Sequence, residues 1–217
     1  MEAKNSKRLL IFNQSSFTLT VNKKYNTTNL GNEIVIDTTA NPVSGFSKKI
    51  YKIKEKPDKI FSLINAPHET LEDLIKEFDF QDKFSSNCND SSKHYGVPKI
   101  FELGTVDTQG TKPNFYAIME KGGDLDLFDF YIGEQPRIEL KQLILLFKNI
   151  LYSVNCVHSL EKAHLDLKPE NIMIDSTTIN HKDGIKVRLI DFGFVLDDGM
   201  DYTGRYLGTP YYISKQM

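Results

Sequence analysis

The spacing of apolar residues changes once along this chain, and the change constrains the fold class. Up to Glu120 the apolar residues come in short runs of strand length: LLIF (9–12), FTLTV (17–21), EIVID (33–37), FSKKIYKIKE (46–55), KIFSLI (59–64), KIFELG (99–104) and FYAIME (115–120). Tyr51 and Ile53 alternate with Lys52 and Lys54, the pattern of a half-buried strand. Polar segments lie between the runs, NKKYNTTNLGNE (22–33) and TTANPVSG (38–45) among them, and read as loops. One helix interrupts the strands at 69–84, where Leu71, Leu74, Ile75 and Phe78 fall on one face. Beyond Gly123 the spacing turns helical. From Ile138 to Lys162, Leu140, Leu143, Ile144, Phe147, Ile150, Leu151 and Val154 recur every three or four residues, an arc wide enough to predict a largely buried helix. Strands first and helices afterwards predict an α+β, two-lobed chain. The expected division is an N-terminal extension with short strands (1–33), a small antiparallel β-sheet lobe with one helix (34–119), and a mainly helical lobe (120–217).

Charge narrows the partners. Among 217 residues, 27 Lys and Arg face 29 Asp and Glu, for a net charge of -2. With no long basic block, neither nucleic acid nor an anionic membrane surface is an expected partner. The richest apolar run, LILLFKNILYSV, is broken by Lys148 and Asn149 and is not a membrane span. The N-terminal apolar cluster is too short for a signal-peptide core. Cys88 and Cys156 lack metal-ligand spacing, and Cys156 sits in the apolar helical run as a core residue. These features together predict a soluble, intracellular, cytoplasmic protein.

The chemistry concentrates in AHLDLKPENIMID, residues 163–175, which sets Asp166, Lys168 and Asn171 within six positions ahead of a short strand. A second strand, IKVRLI (185–190), runs into Asp191. Asp and Asn oxygens suit a hard divalent cation. A Lys meets phosphate as a point charge. A second Asp is suited to orient a hydroxyl or take its proton. Phosphoryl transfer asks for this set, because its catalysis is mostly positioning and charge neutralisation. Singly, each residue has a plainer reading as a solvated loop group or a helix start around Pro169; the joint pattern carries the argument.

These residues resemble the eukaryotic protein kinase family. HLDLKPEN is similar to the catalytic-loop pattern H-R-D-L-x-x-x-N, Asp191-Phe192-Gly193 to the metal-binding triplet, and GTPYYISKQM to the peptide-binding segment. The resemblance implies a bilobal kinase-like fold, ATP and magnesium as substrate and cofactor, and a protein substrate. Residue by residue it implies Asp166 as catalytic base, Lys168 as the cation on the moving phosphoryl group, and Asn171 and Asp191 as magnesium ligands. It places Met119 behind the adenine, Glu120, Lys121 and Gly122 as the hinge whose backbone meets it, and Asp126 near the ribose. His164 and Phe192 would pack internally. Lys-Pro-Glu after Asp166 looks like the Ser/Thr branch. Leu165 replaces the Arg that usually precedes the catalytic Asp, which argues against the usual loop-phosphate switch.

The first lobe departs from the family pattern. The glycine-rich phosphate loop is matched by NPVSGFS (41–47), where Gly45 is the one glycine and Pro42 removes a backbone donor. FSLI places Ile64 where the phosphate-binding Lys stands, so Lys49, Lys52 or Lys54 on the preceding strand would have to replace it. Glu77, or less well Glu72, matches the helix Glu that pairs with that Lys. The chain also reads as C-terminally truncated: it reaches Met217 within or just after the peptide-binding segment, which leaves one face of the long helix without an evident partner, so that the chain is a fragment, or self-associates there, or folds less securely than a full kinase. The first reading is therefore an ATP-dependent protein serine/threonine kinase. The alternative is a pseudokinase or truncated kinase-like scaffold with weak or no phosphotransfer.

Overall fold

The structure, a computed structural model, describes residues 6–25, 28–44, 48–65, 70–88, 93–107, 114–133, 138–197 and 207–213. They fall into two compact units, Met1–Lys76 with Lys99–Lys121 and Glu77–Pro98 with Gly122–Met217. The first is a curled β-sheet lobe and the second a mainly helical lobe, as the two spacings require.

The first unit holds β1 (Ser6–Phe12), β2 (Ser15–Lys24), β3 (Glu33–Val35), β4 (Val43–Ser44), β5 (Lys48–Ile53), β6 (Lys56–Ile64), β7 (Ile100–Asp107) and β8 (Asn114–Glu120). Their order in one sheet is β3-β1-β2-β7-β8-β6-β5-β4. Every neighbouring pair is antiparallel except β1 and β3. The sheet is also stitched to itself. Just after β3, Ile36 bridges Ile53 of β5; Asp37 N donates to Lys52 O (2.9 Å) and Lys54 N to Val35 O (2.8 Å). Seven strands thereby form a ring with little free edge. The LLIF and FTLTV runs thus sit within this ring as β1 and β2.

Alternate residues point into the ring. Leu10, Leu19, Ile34, Ile36, Ile53, Phe61, Val106, Tyr116 and Ile118 form its apolar core. One ion pair is buried with them. Arg8 Nε donates to both oxygens of Glu102 (3.0 and 2.9 Å), and the Tyr116 hydroxyl donates to Glu102 Oε1 (2.8 Å). Glu102 is 0% exposed, so without these partners its charge would be intolerable there. Burial and the adjacent Glu102 charge push the Tyr116 phenol far above its ordinary pKa, which keeps it a donor. The Tyr116 ring lies across Gly104: a Cβ there would come 2.7 Å from Tyr116 Cε1 and inside contact distance of the Thr20 carbonyl.

The helix α1 (Leu71–Cys88) opens on a reciprocal cap, Asp73 N to Thr70 Oγ1 (3.2 Å) and Thr70 N to Asp73 Oδ2 (3.0 Å). It continues four residues beyond the predicted end at Phe84. The second unit adds β9 (Leu125–Asp126), α2 (Leu127–Ile132), α3 (Leu140–His158), β10 (Lys162–Ala163), β11 (Ile172–Asp175), β12 (Lys186–Leu189) and β13 (Leu196–Asp197). β12-β11-β9 make a small antiparallel sheet, and β10 pairs with β13. Cys88 and Cys156 are both buried; burial and its neighbour Cys156 push the Cys88 thiol up to about 12, so it stays protonated and unreactive.

The burial of α3 departs from the expectation. Leu140 is 72% exposed, and Leu143, Ile144, Phe147 and Leu151 are exposed as well. The buried stripe is instead Leu146, Asn149, Ser153, Cys156 and Val157. It is held by polar bonds: Asn149 Nδ2 donates to the carbonyls of Asp183 and Ile185, and Ser153 Oγ accepts from Gly96 N. Periodicity identifies the helix, but backbone carbonyls needing donors decide which stripe turns inward. Among the described residues, no helix is long and apolar enough to cross a membrane.

Gly104→Ala is expected to lower unfolding stability by about 1–3 kcal/mol through overpacking against Thr20 and Tyr116, measured by urea titration. Gly31→Ala, where the nearest atom to an added Cβ is 3.9 Å away, is the comparison, paying only for its positive φ.

Candidate active site

The loop from His164 to Asn171 is positioned from both ends. β10 leads into it, and Pro169–Asn171 form a 3-10 turn with Asn171 N donating to Lys168 O (3.0 Å). A Pro at the start of such a turn surrenders no needed donor. Asn171 then enters β11. Because Ile172 pairs with Leu189, Ile190 lies beside Asn171, and Ile190 N donates to Asn171 O (3.0 Å). The register therefore brings Asn171 next to the residue that precedes Asp191.

His164 clamps the loop to this strand end. It is 1% exposed; its Nε2 donates to Ile190 O (3.0 Å), while Asp166 N donates to its Nδ1 (3.3 Å). These bonds require the neutral ring with the proton on Nε2. Burial drives the His164 pKa below its ordinary value, against the opposing pull of the Ile190 carbonyl and of the Asp191 and Asp166 charges. Phe192 packs on the His164 ring at 5.1 Å and on Phe84 at 5.1 Å.

Asp166 is 3% exposed, and both carboxylate oxygens are engaged. Oδ1 accepts from Thr209 N (2.8 Å) and Thr209 Oγ1 (2.7 Å). Oδ2 accepts from Asn171 Nδ2 (3.0 Å) and pairs with Lys168 Nζ (2.8 Å). Lys168 Nζ also donates to Thr209 Oγ1 (2.8 Å), and Asn171 Nδ2 to Asp166 O (2.8 Å). Burial raises the Asp166 pKa, but the bonds from Lys168, Thr209 and Asn171 outweigh it and hold the carboxyl below its ordinary value. Both amide bonds of Asn171 run through Nδ2, which leaves Oδ1 for another ligand.

Backbone strain gathers at the same place. Leu165 (φ 63°) and Asp191 (φ 65°) adopt the left-handed conformation, which costs a residue such as Leu roughly 1–2 kcal/mol. Gly208 (φ 98°) lies against Leu165, where a Cβ would collide with the Leu165 carbonyl; its lack of one lets Thr209 reach Asp166. A Cβ on Gly193 would sit 3.7 Å from Glu77 Oε2 and 3.8 Å from Asp191 Oδ1, so these two carboxylates flank that glycine.

The structure brings Asp166, Lys168 and Asn171 into direct contact and sets Asp191 beside them through the strand register. The remaining residues singled out in the sequence have other surroundings. Met119, Glu120 and Lys121 belong to the first unit, where Glu120 N donates to Lys99 O and Lys121 N to Asp58 O, both at 2.8 Å. Gly122 is packed so closely that an added Cβ would meet Pro98 Cγ at 3.2 Å and Met173 Cβ at 3.3 Å. Asp126 caps α2, its Oδ1 accepting from Asp129 N (2.7 Å). Lys52 and Lys54 are exposed, near Asp37, whose carboxyl is held low by Thr39 hydrogen bonds and then by these two charges. Gly45 lies outside the described residues. Ile64 is fully buried, and its partner across the strands is Lys48, not Lys52. Two residues escaped the sequence reading. Lys48 could be found only from the register, whereas Thr209 carried a weak signal in the Gly-Thr-Pro of residues 208–210.

The protein kinase domain model matches residues 45–217. The chain belongs to the protein kinase domain family. It is 30% identical over 151 residues to a probable serine/threonine-protein kinase of Corynebacterium efficiens, covering 66% of this chain and 22% of that one. It is 32% identical to Death-associated protein kinase 2 of Mus musculus, covering 55% and 31%, and 27% identical to probable serine/threonine-protein kinase MARK-A of Dictyostelium discoideum, covering 87% and 16%. The chain thus spans less than a third of the length of each of these kinases.

His164 supplies a pH test for this kinase domain. Its folded pKa is depressed, so as pH falls through about 6.5 the unfolded chain takes up a proton that the folded chain refuses, and stability falls. His164→Gln is expected to lose less stability than the parent between about pH 7 and pH 5, read from urea midpoints.

Proposed function

We propose that this chain is an ATP-dependent protein serine/threonine kinase domain that transfers the γ-phosphoryl group to a protein hydroxyl. The observation that carries this reading is the buried Asp166 carboxylate, fixed from both sides by Thr209 and by Asn171 with Lys168. A hydroxyl presented to Asp166 would be aimed at the γ-phosphorus. Its oxygen forms the new P–O bond, the bond to the β–γ bridging oxygen breaks, ADP leaves, and the hydroxyl proton passes to Asp166, where one of the four present donors gives way to it. Because its pKa is held low, Asp166 is a weak base, and its main contribution is orientation, as expected where positioning dominates phosphoryl transfer.

Lys168 has three donors, of which Asp166 and Thr209 take two, and the third would meet the moving phosphoryl oxygens. Magnesium would neutralise phosphate charge. Asn171 Oδ1 and the Asp191 carboxylate are hard oxygen donors that fit it, and Asp191 holds a left-handed backbone at the end of its strand. The resemblance assigns the backbone of Glu120, Lys121 and Gly122 to the adenine, with Met119 behind it and Asp126 toward the ribose; the N–H groups of Glu120 and Lys121 are engaged within the first unit.

Ile64 favours a second reading, a kinase-like module with little transfer. A buried Ile supplies no charge, so a cation would have to come from β5, where Lys48 stands in register with it and Lys52 and Lys54 lie further along.

Incubation with labelled ATP, magnesium and a generic basic protein separates the two. The kinase reading expects transfer that falls about 10²–10⁴-fold in Asp166→Ala and disappears in Asp191→Ala. Nucleotide binding without transfer in the parent chain would establish the scaffold reading instead.

A further inference from the structure

The ring of strands in the first unit contains an apolar cavity of about 220 Å³. It is lined by Leu10, Phe12, Phe17, Ile36, Tyr51, Phe61, Leu63, Val106 and Asn114, inward-facing residues drawn from around the ring. The ring interior is thus divided. On one side lie the Arg8–Glu102–Tyr116 bonds, and Phe61, which lines the cavity, stacks on Tyr116 (5.4 Å, 8°). On the other Phe12 meets Tyr51 edge-on at 5.4 Å, and Phe12 and Phe17 are only half-buried, so the space is reached from outside.

Protein cores hold few voids larger than a water molecule. Water is a poor occupant here, because it needs two to four polar partners, and the lining is otherwise apolar beside the Asn114 amide and the Tyr51 hydroxyl. A cavity of about 150 Å³ lined by Leu, Ile and Phe stays dry and admits benzene; this one is larger. Barrels of about eight strands have room for packed side chains or for one small ligand. We propose that the ring binds a small, uncharged apolar molecule, the size of one aromatic ring with a short alkyl chain, in this cavity. The aromatic walls would receive the ring, and no charged group lines the cavity to hold a carboxylate or an amine.

The full chain titrated with n-butylbenzene provides the test. Calorimetry is expected to show saturable one-to-one binding. Methyl NMR is expected to move Leu10, Ile36, Leu63 and Val106 together. Leu63→Phe fills the cavity and should weaken binding at least about tenfold, a loss of about 1.4 kcal/mol. Val106→Ile, a smaller filling change, should weaken it less. The proposal is overturned if binding is absent or unsaturable, or if the shifted methyls are those of Leu143, Ile144 and Leu151 on the exposed face of α3. Unchanged affinity in a folded Leu63→Phe also overturns it. Should neither filled variant fold, the methyl map of the parent chain still decides.

Discussion

A carboxylate nearly out of water needs donors, and Asp166 has four: Thr209 N, Thr209 Oγ1, Asn171 Nδ2 and Lys168 Nζ. Removing any one leaves a buried anion short of a partner, so the bonds act together. Through them three stretches of chain become mutually dependent. Thr209 sits 43 residues after Asp166 and is held by it. Asn171 is oriented by Asp166 and, through its backbone, holds Ile190 ahead of Asp191. His164 closes the arrangement by binding Ile190 from inside the core. The strained backbones at Leu165 and Asp191 persist because this packing over-determines them.

The first unit solves a comparable problem with different residues. Its sheet would present open edges and a single apolar face. Curling until Ile36 meets Ile53 places that face inside a ring. The Arg8–Glu102–Tyr116 group then joins three strands by buried polar bonds that only one register satisfies, because Arg8, Glu102 and Tyr116 come from β1, β7 and β8. A one-residue slip of any of these strands would turn its member of the group outward. We take the buried pair as a register device more than as a source of stability, since a hydrophobic replacement of both partners is often neutral.

The two-lobed α+β organisation was legible because strand-like and helix-like spacings are segregated along the chain. The cluster of Asp166, Lys168 and Asn171 was legible because the three residues are close in sequence and are of the types that phosphoryl transfer asks for. What was not legible is non-local. Nothing in LLIF or FTLTV says that these strands close a ring through Ile36 and Ile53. Nothing within GTPYY says that Thr209 reaches Asp166. For α3 the apolar spacing gave the helix but not its inward stripe, which Asn149 and Ser153 decide through bonds to the backbone of Ile185 and Gly96. Ile64 was conspicuous in the sequence, yet its neighbour Lys48 emerged only from the pairing of β5 with β6.

In the proposed function, Asn171 and Asp191 hold one divalent cation beside a nucleotide's terminal phosphate. Electron paramagnetic resonance of manganese, titrated into the chain with a non-hydrolysable ATP analogue, tests it without relying on turnover. Bound manganese is expected in the parent chain, with affinity at least about tenfold weaker, or about 1.4 kcal/mol, in Asn171→Ala and in Asp191→Ala. Equal manganese affinity in all three folded proteins would contradict it.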